Sequence, residues 1–208
     1  MNPIRLTRLQ SQAGRACAAL NAAQRAWLGL AALLVAGAVF GGPLERERWD
    51  WQPALLTQQP WRLFSAIAVH YSPAHLAANG AGAVLVAALG VSARVTLPMV
   101  WAWAAAWPMT HLGLLADPGL AHYGGLSGVL HAGVAVAAWH LVRDGTGARR
   151  NIGAAVMIGL IVKVLGESPW AGAHPDPALG ISVAPLAHAT GVLAGLLCAA
   201  VAGLRGAR

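Results

Sequence analysis

Four residues capable of chemistry stand inside stretches that are otherwise apolar: His75, Asn79, Ser127 and His188. A serine hydroxyl is a weak nucleophile until a neighbouring base takes its proton, and histidine is the usual base. Ser127 lies in Gly124-Gly125-Leu126-Ser127-Gly128, where glycines permit a tight turn and close approach of a substrate backbone. His75 and Asn79 are four residues apart, so on a helix they share a face. Their side chains, with the Ser127 N–H, can donate to an oxyanion as it develops. The acids nearest to His188 stand at loop boundaries, so the pattern reads as a Ser127–His188 dyad and not as a triad.

Each residue taken singly also has a structural explanation. Small residues around Ser127, and Gly191-x-x-x-Gly195 behind His188, suit close helix packing. His75 and Asn79 can serve as hydrogen-bonded bridges between helices. Lys163 and Glu167 are four residues apart and most simply form a helix-end pair. Cys17, Cys198, His111, His122, His140 and His174 join no such constellation. The two cysteines are too far apart in character, one in a basic arm and one in an apolar segment, to form a disulfide framework.

The elements that must position these residues follow from composition. Of 208 residues, 57% are hydrophobic and 10% charged, against roughly 25% charged in an ordinary soluble domain. A soluble fold of this size has no way to hide that much apolar surface. A soluble globular protein, a disordered chain and a disulfide-rich secreted scaffold are excluded. The fold class is all-α, a polytopic membrane bundle of six helices. Apolar runs fall at about 26–42, 73–91, 95–116, 126–142, 151–168 and 183–204, each near the roughly 20 residues a membrane span needs. Ser72-Pro73 marks a helix start, with Ser as cap and Pro in the first turn. There is no strand-like alternation and no repeat. The chain divides into a basic N-terminal arm, residues 1–25, and one membrane domain, residues 26–208. The basic arm, the first run and its Ala36-Gly37-Ala38 triplet together are like a signal peptide, but the long arm and the spans that follow favour an uncleaved helix.

Charge sets the orientation. With the N-terminus inside, ten arginines (5, 8, 15, 25, 94, 143, 149, 150, 205 and 208) lie on the cytoplasmic side and three (46, 48 and 62) outside. That asymmetry obeys the positive-inside rule with both termini cytoplasmic. The net charge of +7 is therefore juxtamembrane, and without a basic stripe interleaved with aromatics no nucleic-acid partner is expected. In this topology all four polar residues stand at similar depth below the outer surface, and intramembrane polar groups are functional hypotheses by default. The outer segment 43–71 carries Trp49, Trp51 and Trp61, which suggest a loop lying at the interface.

With these residues in place, the sequence resembles the rhomboid family of intramembrane serine proteases. Four segments carry the likeness: Trp61-Arg62; His70, His75 and Asn79 in H-x4-H-x3-N spacing; Gly125-Leu126-Ser127-Gly128; and Ala187-His188-x-x-Gly191-x-x-x-Gly195. The resemblance implies a six-helix bundle with a cavity open to the outer side. It implies Ser127 as nucleophile, His188 as general base, and His75, Asn79 and the Ser127 N–H as oxyanion donors. Gly125, Gly128, His131 and Gly191 line or support the substrate cavity. No metal or other cofactor is implied. Expected partners are the bilayer of a bacterial inner membrane and single-pass transmembrane substrates. Two positions depart from the family pattern: His131 replaces a common tyrosine beneath the catalytic histidine, and Val91-Ser92-Ala93-Arg94 lacks a glutamate common near the third helix. The Gly125–His131 string and the compact length are most similar to the rhombosortase subgroup. That subgroup is associated with C-terminal tags bearing Gly-Gly, a transmembrane helix and a basic end. The competing readings are a non-catalytic rhomboid-like protein that binds transmembrane helices, favoured by loss of Ser127 or His188, and a small transporter, favoured by inverted repeats.

Overall fold

Six long helices account for the apolar runs: α1 (Ala22–Phe40), α2 (Pro73–Ala93), α3 (Leu97–Gly113), α4 (Ser127–Asp144), α5 (Ala148–Gly166) and α6 (Leu186–Arg205). The computed structural model describes residues 20–41 and 45–205. The basic arm up to Arg15, Cys17, the end of the first apolar run and Arg208 lie outside the described residues. By length and composition α1, α2 and Leu186–Leu204 of α6 can each cross a membrane, with mean hydropathies of 1.5, 1.7 and 1.8. The remaining three are shorter or carry charge: α3 has 17 residues, and α5 contains Arg149, Arg150 and Lys163.

α4 is the central helix and packs against α2, α3, α5 and α6. Its glycines explain why. A Cβ on Gly191 of α6 would stand 2.0 Å from the Gly128 carbonyl oxygen, and one on Gly195 would stand 2.5 Å from that of Ala132. Both distances are impossible for a real side chain, so only glycine lets these two backbones approach. α1, α2 and α3 close the other side of α4 through Trp27 and Trp103, whose rings lie 4.3 Å apart. Both of these indole N–H groups find a carbonyl: Trp27 donates to Val86 and Trp103 to Val129. Leaving either donor unsatisfied would cost about 1–3 kcal/mol.

Outside the long helices, two features arise from polar residues. The Arg62 guanidinium is buried and donates to the Asp50 carboxylate at 3.2 Å, the Asp50 carbonyl at 2.6 Å and the Gln59 side chain at 2.7 Å. Asp50 also accepts from Gln52 and from His122. Through His122 this buried cluster ties the loop between α1 and α2 to the segment before α4. Its tryptophans do not share one environment: Trp61 is about half exposed, but Trp51 is fully buried and pairs its backbone with Tyr123. The interfacial reading of this loop therefore fails at Trp51.

The second feature corrects the expectation of no strands. Between α5 and α6 the chain forms a small antiparallel hairpin, β1 (His174–Asp176) with β2 (Ile181–Val183). Asp176 initiates its turn by accepting from the N–H groups of Ala178 and Leu179, a local side-chain bond that competes with helix. Strands of three residues are too short to show alternation, and α6 accordingly starts at Leu186 instead of Val183. Ser72 holds the hairpin in place: its hydroxyl donates to the Leu179 carbonyl at 2.6 Å and accepts the His75 N–H at 3.0 Å. The same residue caps α2 and pins the hairpin at its turn.

Candidate active site

Ser127 is the first residue of α4, and His188 stands in the first turn of α6. The Gly128–Gly191 contact brings these two turns together. The Ser127 hydroxyl donates to His188 Nε2 at 3.0 Å. On the opposite side of Ser127, Gly125 has φ of +133°, a conformation open to glycine and strained for other residues. A Cβ there would meet the His75 ring at 2.8 Å and the Asn79 amide at 3.8 Å. Gly125 thus passes its backbone directly over the α2 face that carries His75 and Asn79.

The Asn79 amide donates to His70 Nε2 at 3.0 Å, and the His70 and His75 rings lie 4.8 Å apart. Burial, then the neighbouring His75, push the His70 imidazole down to about 4 against the opposing effect of the Ala68 backbone. His70 is therefore neutral at pH 7 and can accept from Asn79, which leaves the second amide proton of Asn79 free to be directed elsewhere. His131 occupies the position beneath His188. The two rings stack at 4.1 Å and 14°, and His131 Nδ1–H is anchored to the Ser127 carbonyl at 2.7 Å. An aromatic surface under His188 is retained although the residue type differs.

These groups border a cavity of about 540 Å³ at the end of the bundle where α4 and α6 begin. Tyr71, His122 and Asp176 contribute from the loops, and Val86, Val134 and Leu160 form apolar wall further along the helices. Polar groups thus gather at Ser127 with apolar surface beside them, the usual division in a binding cleft.

The structure brings together every residue singled out from the sequence: His75, Asn79, Ser127 and His188, with Gly125, Gly128, His131 and Gly191 around them. It also corrects one expectation. His188 does have an acidic neighbour, because its Nδ1–H donates to Glu167 Oε2 at 2.7 Å. Glu167 directly follows α5, and its other oxygen holds Lys163 at 2.6 Å, so the expected helix-end pair is present as well. Sequence separation concealed the contact: 21 residues divide Glu167 from His188, and the hairpin occupies that interval. The one available signal was depth, since Glu167 and His188 flank the same loop. Of the residues given no role, His111 donates from Nδ1 to the Leu63 carbonyl, His140 to Asp144 and His122 to Asp50; Cys198 is a free thiol.

A rhomboid-domain family model matches residues 57–205, well over half of the chain. The protein belongs to the rhomboid family. The match begins four residues before Trp61 and ends at the last residue of α6, so it contains all the site residues described above and leaves α1 outside. No curated protein matches this rhomboid. Membership brings the coarse description of the family, intramembrane proteolysis of transmembrane proteins, and agrees with an all-α membrane bundle.

Proposed function

We propose that this rhomboid is an intramembrane serine endopeptidase that cuts transmembrane substrates near the outer membrane face. The observation that carries the reading is the 3.0 Å bond from the Ser127 hydroxyl to His188 Nε2 at the border of a cavity. As the Ser127 oxygen attacks the scissile carbonyl carbon, its proton passes to His188. The carbonyl oxygen becomes an oxyanion, which the Ser127 N–H, Asn79 and His75 stabilise. Collapse of that intermediate breaks the peptide bond, and His188 gives its proton to the departing amine. Water, activated by His188, then releases the acyl chain and restores Ser127. His131 supports the His188 ring. Gly125, Gly128 and Gly191 set the separations on which all of this depends.

The substrate class is a single-pass helix that unwinds near its outer end. Resemblance to rhombosortases points to C-terminal tags with Gly-Gly, an apolar helix and an arginine cluster. Reconstitution in liposomes with such a tagged substrate tests the reading: one cut near the outer end of the helix is expected. Helix binding without cleavage of the tagged or any other transmembrane substrate would instead establish a non-catalytic binder.

We further assign the protein to the bacterial inner membrane with both termini cytoplasmic, on the ten-to-three arginine division. Reporter fusions after Arg208 and near Gly145 are expected to read cytoplasmic. An external signal at either position overturns the orientation.

A further inference from the structure

Glu167 is not explained by its pairing with Lys163 alone. An acid at the C-terminal end of a helix opposes the macrodipole, and an exposed pair with Lys recovers about as much as that costs. The carboxylate nevertheless uses both oxygens: Oε1 accepts from Lys163 Nζ at 2.6 Å, and Oε2 accepts from His188 Nδ1 at 2.7 Å. The next residue, Ser168, has φ of +52°, a left-handed conformation uncommon outside glycine. That residue turns the chain immediately after Glu167. Two elements and a turn converge on a single bond to His188.

We propose that Glu167 is a positioning residue that completes a Ser127–His188–Glu167 relay, with Lys163 holding the carboxylate in place. The proposal rests on the reading of Ser127 and His188 as the reacting pair. A carboxylate oxygen can only accept, so its partner Nδ1 carries the proton and Nε2 is left with a lone pair for the Ser127 hydroxyl. When His188 takes the Ser127 proton, the imidazolium lies beside a negative charge; Glu167 itself stays ionised throughout. His131 stacks on the other side of the ring and His75 stands across the cavity. Both are imidazoles, so Glu167 is the acidic partner of His188 among the described residues. Its side chain is 31% exposed, so solvent screens part of its charge. The effect expected is therefore nearer the 10- to 100-fold typical of a group that orients a histidine than the roughly 10⁴-fold of a fully buried triad aspartate.

The test uses the full chain in liposomes with wild type, Glu167→Gln and Glu167→Asp. Glu167→Gln is expected to lower kcat by about 10- to 100-fold with KM within about twofold and the unfolding temperature unchanged. Glu167→Asp, which keeps the charge on a shorter arm, is expected to restore most of the loss. Unchanged kcat in Glu167→Gln overturns the proposal, and so does a loss that follows KM or unfolding. A second readout needs no turnover: ¹⁵N NMR of histidine-labelled protein, with the His188 signals assigned by their disappearance in His188→Ala. The proton is expected on Nδ1 in the wild type and redistributed in Glu167→Gln. A wild-type proton on Nε2, or one that Glu167→Gln does not move, overturns the proposal whatever the activity. Conversely, a wild type that cleaves nothing yet shows the expected tautomer refutes the protease reading and leaves the positioning of His188 by Glu167 standing.

Discussion

Ser127→Ala and His188→Ala are each expected to abolish cleavage of a transmembrane substrate, with turnover falling by on the order of 10⁴- to 10⁶-fold. Ser127→Ala removes the oxygen that forms the acyl bond, and among the described residues no other hydroxyl is hydrogen-bonded to the His188 ring. His188→Ala removes the base in contact with that oxygen, and a neutral serine hydroxyl is a poor nucleophile at pH 7. The two changes act on one bond, so the double variant is expected to be no worse than either single one. Folding is expected to survive, because α4 and α6 are joined by the glycine contacts and not by the Ser127–His188 bond. The measurement is cleavage by each purified variant alongside its unfolding temperature. Proteolysis at the wild-type level in either variant would falsify the assignment.

The second large effect belongs to His75 and Asn79. Gly125 lies so close to both that a single Cβ would touch them, which puts their polar atoms beside the turn leading into Ser127. A donor that meets the oxyanion only as charge develops lowers the barrier more than it strengthens substrate binding. Losing one such donor costs about 10²–10³ in turnover. Asn79→Ala and His75→Ala are each expected to lower kcat by that factor with KM little changed. Asn79→Ala also removes the donor to the buried His70, so some loss of stability accompanies it. Steady-state kinetics together with thermal unfolding separate the two contributions. Variants that turn over normally, or whose loss merely tracks unfolding, strike these residues from the machinery.

Much of this molecule was legible before folding because the bilayer restricts what the chain can do. Backbone polar groups in lipid must be satisfied within the segment, so apolar runs of sufficient length become helices. A polar residue inside such a run stands out against its surroundings. Ser127 and His188, 61 positions apart, could therefore be placed at one depth by counting spans. The glycines around them were equally visible, although their purpose was not. That Gly191 meets the Gly128 carbonyl, while Gly125 covers His75, depends on which helices are neighbours and how they are rotated. Hydrophobicity does not encode rotation, because lipid and protein neighbours are similarly apolar.

Depth was available to the sequence; azimuth was not. Asp50 illustrates the difference. It reads as one of several acids in an outer loop, yet it is buried with Arg62 and also accepts from His122, 72 residues away. Trp51 reads as an interfacial aromatic and is interior for the same reason. Glu167 is the most consequential case. Its helix face could be assigned from Lys163 four residues earlier, but its approach to His188 exists only because the β1–β2 hairpin folds over and returns the chain beside the end of α5. Residue types and span order determined which groups are available for acyl transfer and how deep they lie. Tertiary packing decided which of them touch, because contact across helices requires a definite rotation and a path for the connecting loop.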